Sequence, residues 1–440
     1  MQGVAAVIFA LIVIAAAALS QPMQPPPVRE ALVGFDNLSN GAVDDATHAI
    51  DLADFDETET IGDGLGPIYN AQSCRDCHQS PVSGAASQIT ELRVGHLDAN
   101  GVFVLPIIPV NRGEELIRGR SLVNDRAICP SAAFPNIDAQ EHVPDSETVH
   151  VNRLSLSILG DGYVEAVADQ TLIGIARAQC ASSNGEVCGH VLHVPVVEAP
   201  GAVAVGRFGW KDQHASLLSF AADAYLNEMG ITSRLQPAEV TFLCNTVDSP
   251  NDHPGADGLE AIDRFARFAR ATKAPPRDEI LAATPDATRG ASVFANVGCA
   301  VCHTPTLVTA EAGTRMYGGA YTIPPALGGV TFHPYGDFLL HDVGTGDGVI
   351  QSLVEHYGQR LNVTGMRGIS AAGFRSAQNE IRTAPLWGLR MRSRLMHDGA
   401  SLTLRDAIAR HRGEATGSVT RLNQLPEADR EAMLAFLRSL

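Results

Sequence analysis

Two five-residue segments, Cys74-Arg75-Asp76-Cys77-His78 and Cys299-Ala300-Val301-Cys302-His303, each set two thiols and an imidazole on one short turn. Thiols so spaced can form thioethers to the two vinyl groups of a haem, and the adjacent histidine then reaches the iron from the same side. With 8 cysteines and 15 histidines in 440 residues, chance would supply only about 0.005 such units. A zinc site calls for four ligands in paired spacing, and a thioredoxin-like redox pair has no need of His78 or His303. The pattern therefore points to two c-type haems, attached at Cys74/Cys77 and at Cys299/Cys302, with His78 and His303 as proximal iron ligands.

The ligand on the other side of each iron decides between electron transfer and chemistry at the metal. From Ser401 to His411 the spacing predicts a short helix that stops before Arg412-Gly413. Leu404, Ala407, Ile408 and His411 fall on one face of it by steps of three and four, so the imidazole points inward with the apolar side chains. A core histidine satisfied by a carbonyl or a propionate would show the same spacing, and Met396 is the rival ligand.

The elements that must hold these residues are legible in outline. Residues 1–20 are almost wholly apolar from Val4 to Leu19 and end in Ala18-Leu19-Ser20, a secretory signal pattern; they lack Lys and Arg, so an uncleaved anchor is the alternative. Residues 21–30 are rich in proline and read as an extended tether. A net charge of −17 excludes a nucleic-acid partner, which needs excess Lys and Arg, and suits a basic redox partner as well as plain solubility. The four cysteines outside the motifs are compatible with disulfides in an exported chain. Cys180 and Cys188, flanking a short loop, are the better pair; Cys129 and Cys244 are left over, and buried thiols are the alternative.

The expected fold is mainly α, with two cytochrome c-like haem domains. Residues 31–277 form the first, carrying small β and loop insertions near 89–109 and 187–208, with helix-like spacing at 152–178, 214–229 and 258–271. The Lys273-Ala274-Pro275-Pro276-Arg277 stretch marks the boundary. Residues 278–440 form the second, opened by a helix after Thr284-Pro285-Asp286 and closed by one after Pro426.

With these residues in view, the chain resembles the bacterial di-haem oxidoreductase family, whose members are peroxidase-like or thiol-oxidoreductase-like and are related to the di-haem cytochrome c peroxidases. The resemblance runs from about Gly64 onward. It rests on Gly64-Leu65-Gly66-Pro67-Ile68-Tyr69-Asn70 ahead of the first motif, Gly206-Arg207-Phe208-Gly209-Trp210-Lys211, Met229-Gly230-Ile231-Thr232-Ser233 and the second motif with its following Thr304-Pro305. Further on, it rests on Leu339-Leu340-His341-Asp342, the run from Arg382-Thr383-Ala384-Pro385 to Leu389, and Met396-His397-Asp398-Gly399 followed by His411.

The resemblance implies several roles. In the peroxidase relatives the fourteenth residue after the histidine of the His-Asp/Ser-Gly segment ligates the C-terminal haem, which here is His411. Ligation of one iron by His303 and His411 implies a lower potential than a methionine would give, and His397 becomes a haem-edge or turn residue. Glu165 resembles the distal acid that moves a proton between the oxygens of a peroxide at the N-terminal haem; a surface glutamate stabilised by a helix dipole is the bland reading. His96 is a second distal candidate. Trp210 and Trp387 match an aromatic relay between haems, with core packing as the alternative. Arg392-Ser393-Arg394 stands where the peroxidases have a calcium-binding Thr-x-Pro, so the two arginines are expected to pair with propionates and calcium is not expected. The expected function is that of an exported, peroxidase-like di-haem oxidoreductase that passes electrons from the C-terminal haem to an N-terminal haem reacting with hydrogen peroxide or another small oxidant, with a small redox protein or cytochrome as electron partner and no nucleic acid. The alternative is a non-catalytic electron-transfer cytochrome.

Overall fold

The computed structural model describes residues 29–350 and 371–440. The expected signal segment and most of the expected tether lie outside the described residues. Among the described residues no helix is long and apolar enough to cross a membrane.

The N-terminal half holds helices α1 (Asp45–Asp56), α2 (Cys74–Cys77), α3 (Asp161–Glu165), α4 (Asp169–Ser182), α5 (Leu217–Met229) and α6 (Ala261–Ala271). Asp44 caps α1 by accepting the Thr47 amide hydrogen, and Ser216 caps α5 in the same way through Ser219. Along α6, Ile262, Phe265, Ala266 and Ala269 recur at helical steps and are buried. Ile262, Phe265 and Phe268 meet α1 and α5 in a cluster with Phe55 and Tyr225. Cys74 of α2 packs on this cluster, and the Phe55 ring lies 6.2 Å from that of His78. Three helices thus back the Cys74–His78 turn.

Strands are more prominent than a mainly α fold implies, and that expectation holds only in part. Thr90–Leu97 pairs antiparallel with Val149–Leu154, from Thr90 opposite Leu154 to Gly95 opposite Val149, and with the short strands Leu122–Val123 and Phe103–Val104. The helix-like spacing assigned to 152–178 therefore begins in a strand. The β-branched Val149 and Val151 suit the ladder, and the helical pattern restarts only after Gly160, whose positive φ of 82° caps α3.

The C-terminal half holds α7 (Glu279–Ala282), α8 (Pro285–Asn296), α9 (Ala371–Ser376), α10 (Leu404–Arg410), α11 (Thr416–Asn423) and α12 (Glu427–Ser439). Thr284 caps α8 and Pro285 opens it, as the sequence predicts. Helix α8 crosses α12 at Gly290, where a Cβ would lie 1.9 Å from the Ala432 carbonyl oxygen. Backbone is the obstacle there, so Gly290→Ala must push the helices apart. A loss of about 1–3 kcal/mol is expected, read as a lower thermal unfolding midpoint.

The boundary at Lys273 to Arg277 is packed rather than loose. Ala274 is buried and exchanges hydrogen bonds with Leu32 and Gly34. Arg29–Glu30, at the end of the expected tether, forms a strand parallel to Val330–Phe332. One core, with Tyr163, Phe332 and Trp387, takes residues from both sides of the boundary. Pro275 and Pro276 break regular structure there without breaking the packing around Ala274. Cys180 pairs with Cys188, and Cys129 pairs with Cys244 at a sequence separation of 115. The four motif cysteines remain outside disulfides.

Candidate functional site

The second attachment turn follows α8 directly. Gly298 turns the chain with a φ of 94°, and the His303 amide closes on the Cys299 carbonyl at 3.0 Å. The His303 ring donates from Nδ1 to the Tyr335 carbonyl at 3.1 Å. On the far side, Thr403 caps α10 by accepting the Asp406 amide hydrogen, one residue pair later than the predicted Ser401 start. His411 is the C-cap of α10 and donates from its Nδ1 to the Ala407 carbonyl at 2.8 Å.

Cys299, Cys302, His303 and His411 all line one cavity of about 210 Å³. Its walls are mostly apolar, with Leu386, Leu389, Leu404, Ile408 and Leu437 among them. Because a backbone carbonyl fixes the hydrogen on Nδ1 of both histidines, each keeps Nε2 as the lone-pair nitrogen, the tautomer that ligates a metal. Burial holds His303 down to about 4, helped by the nearby His411, and lowers His411 as well. Both are therefore neutral imidazoles near pH 7. Met396 lines the same cavity.

One edge of the cavity is cationic. Arg392 and Arg394 line it, and among the described residues neither pairs with a carboxylate; their hydrogen bonds go to the carbonyls of Trp387 and Gly399. Burial, with Arg382 next to it, pushes Arg392 down to about 10. An apolar slot with two histidines, two thiols and unpaired guanidiniums at one rim fits a haem with its propionates at that rim.

At the first turn, Ser73 caps α2 through the Asp76 amide, and the His78 amide closes on the Cys74 carbonyl at 3.1 Å. Ser155 donates its hydroxyl hydrogen to the Cys77 carbonyl, so its oxygen is left to accept from His78 Nδ1 at 3.3 Å. His78 thereby has the same tautomer as His303 and His411. Burial lowers His78 to about 4 and pushes the Cys77 thiol up to about 12. Ser155 was invisible as a site residue in the sequence, since a lone serine beyond a strand carries no spacing signal.

Trp210 and His397 sit between the two turns. Trp210 Nε1 donates to the Leu154 carbonyl at 2.7 Å, one residue before Ser155, while the Leu154 amide donates to the His397 carbonyl at 2.6 Å. The two rings meet edge-on at 6.1 Å, and both line the cavity. Trp387 does not line it; it is buried against Phe332 at 5.8 Å, its indole nitrogen without a partner among the described residues.

Glu165 is fully buried at the end of α3, so the surface reading is overturned. Its carboxylate takes Arg270 Nε at 2.6 Å and Nη2 at 2.9 Å, and accepts the Leu217 amide hydrogen at 2.9 Å. It does not line the 210 Å³ cavity. His96 lies on the sheet, its Nδ1 2.8 Å from Glu147 and its side chain 38% exposed.

A family model described as "Di-haem oxidoreductase, putative peroxidase" matches residues 138–440. The chain belongs to the di-haem oxidoreductase family. The matched stretch contains the second attachment turn, His411, Glu165 and both tryptophans, while Cys74 to His78 precedes it. As a member of this family the chain is a peroxidase-like oxidoreductase with two haems. No curated protein matches. Among solved structures the chain is similar to a Kuenenia stuttgartiensis hydrazine synthase (13% identity, 98% of this chain and 100% of that one, TM-score 0.37). It is also similar to a MauG-like protein associated with microbial copper homeostasis (14%, 97% and 95%, TM-score 0.39). A third is the diheme peroxidase BthA from Burkholderia thailandensis (16%, 54% and 66%, TM-score 0.31). Likenesses this remote carry no argument about the site.

Proposed function

We propose that this di-haem oxidoreductase is an exported c-type cytochrome peroxidase in which electrons pass from a C-terminal haem to an N-terminal one. In this reading Cys299/Cys302 and Cys74/Cys77 attach the haems, His303 and His411 ligate the C-terminal iron, and His78 ligates the N-terminal iron. When bound, haem would supply the iron redox couple and a place where a small oxidant such as hydrogen peroxide reacts. The observation that carries the reading is the pair His303 and His411 on one apolar cavity, each with Nδ1 tied to a backbone carbonyl. Disulfides at Cys129–Cys244 and Cys180–Cys188 support export, since oxidising compartments preserve them.

The chain's own residues have distinct tasks. The carbonyls of Tyr335 and Ala407 orient the two imidazoles, and Arg392 with Arg394 neutralises the propionates. Trp210 is held between the two turns by Leu154 and His397 and is the proposed relay; Trp387, in the core against Gly160, is a second station in the same reading. Glu165 is the proposed proton carrier, kept in one orientation by Arg270 and the Leu217 amide. A small redox protein or cytochrome supplies the electrons, and the chain's −17 charge suits a basic one.

The test is rapid mixing of the holoprotein with hydrogen peroxide. A fast change in the Soret band, followed by turnover of a reduced donor cytochrome, is expected. Two haems that exchange electrons with the donor but never respond to peroxide would replace this reading with the non-catalytic electron carrier.

A further inference from the structure

One buried side chain joins the second attachment turn to the segment that ends α10. His341 is 1% exposed. Its Nε2 lies 3.0 Å from Asp337 Oδ2, its Nδ1 lies 2.8 Å from Glu414 Oε2, and Cys302 Sγ stands 3.8 Å from Nδ1. A carboxylate at each nitrogen requires a hydrogen on both, so the ring is an imidazolium bridging two anions. Burial by itself would lower its pKa, and the hydrogen bonds to Asp337, Cys302 and Glu414 outweigh that and raise it.

Each carboxylate is anchored on a different part of the site. Asp337 accepts Gln179 Nε2 at 2.6 Å, and that same nitrogen donates to the Val301 carbonyl inside the attachment turn at 2.7 Å. Glu414, three residues beyond His411, accepts the Cys188 amide hydrogen at 3.1 Å. The backbone follows the same seam. Arg412 and Glu414 donate amide hydrogens to the carbonyls of Val343 and Asp342 at 2.8 and 2.9 Å. At Gly413 a Cβ would fall 2.2 Å from the Asp342 carbonyl oxygen, so the two segments run in backbone contact.

We infer that His341 is a positioning residue: it clamps the 411–414 segment onto the 299–303 turn and so holds His411 at the cavity shared with His303. This rests on the proposed ligation by His411. Cys302, Asp337 and His341 also lie within 4.8 Å of one another, but both ring nitrogens are committed to carboxylates. The cluster is therefore a clamp and not a metal site.

The test is low-temperature EPR of the ferric holoprotein carrying His341→Gln or Glu414→Gln, with His411→Ala as the reference and two haems per chain confirmed for each. In both clamp variants the C-terminal haem is expected to lose most of its low-spin signal to a high-spin one, and added imidazole is expected to restore it. A purely structural role would lower the unfolding midpoint and leave the spin state alone. Unchanged low-spin spectra in both clamp variants, beside a high-spin His411→Ala, overturn the clamp and leave the ligation reading standing. A low-spin His411→Ala overturns the ligation reading and the clamp together. Should His341→Gln fail to fold, Glu414→Gln decides alone, since it keeps the side chain's size and removes only its charge.

Discussion

Glu165→Leu is expected to destabilise the protein by about 3–5 kcal/mol, because removing one partner of a buried ion pair strands the other charge. The stranded group is the Arg270 guanidinium, whose side chain is 19% exposed against 0% for Glu165. Its position 4.4 Å over the Tyr321 ring gives back only a fraction of that, since such contacts contribute about 0.5–2 kcal/mol. The Leu217 amide, at the start of α5, loses its acceptor as well. Denaturant unfolding measures the loss. Glu165→Gln separates structure from chemistry: the amide keeps a hydrogen-bond acceptor for Arg270, so a smaller loss of about 1–3 kcal/mol is expected. If Glu165 carries the proton, peroxide turnover of this folded variant falls by about 100-fold or more. Turnover close to that of the unmodified protein would leave Glu165 with its ion-pair role alone.

His411→Ala is expected to convert the C-terminal haem from six-coordinate low-spin to high-spin without loss of the cofactor. Retention follows from the proposed thioethers at Cys299 and Cys302, which do not depend on the sixth ligand. Helix α10 should survive the change, because its Thr403 cap and the Arg410 pair with Asp398 are untouched. The opened position should then take exogenous imidazole or cyanide, seen as a return of the low-spin absorption spectrum. An unaltered spectrum would move the sixth ligand to another residue, and Met396 on the same cavity is the first to examine.

The sequence carried the parts of this site that obey local rules. The two Cys-x-x-Cys-His turns were legible because five adjacent residues make each of them, and the inward placement of His411 because helical spacing puts it on the face of Leu404, Ala407 and Ile408. The opening and closing helices α8 and α12 followed from caps and apolar period. What depends on distant partners was not legible. Val149–Leu154 is a strand because Thr90–Leu97 is there to pair with it, some 60 residues earlier in the chain. Glu165 looks like a surface residue until Arg270 arrives from α6. Ser155 and His341 gain their roles only from the rings and carboxylates that folding brings to them. That Ala274, inside the proline-rich stretch, is buried was likewise not legible, since composition reports backbone regularity and not packing.

The central claim is that the two haems are unequal, one closed by His303 and His411 and the other able to receive a small oxidant. EPR of the protein as isolated and after addition of one electron equivalent tests it most directly. The account predicts, in the oxidised protein, one low-spin signal from the C-terminal haem, which disappears as that haem is reduced, and one high-spin signal from the haem at Cys74 and Cys77. Two low-spin, six-coordinate haems in every redox state would contradict it.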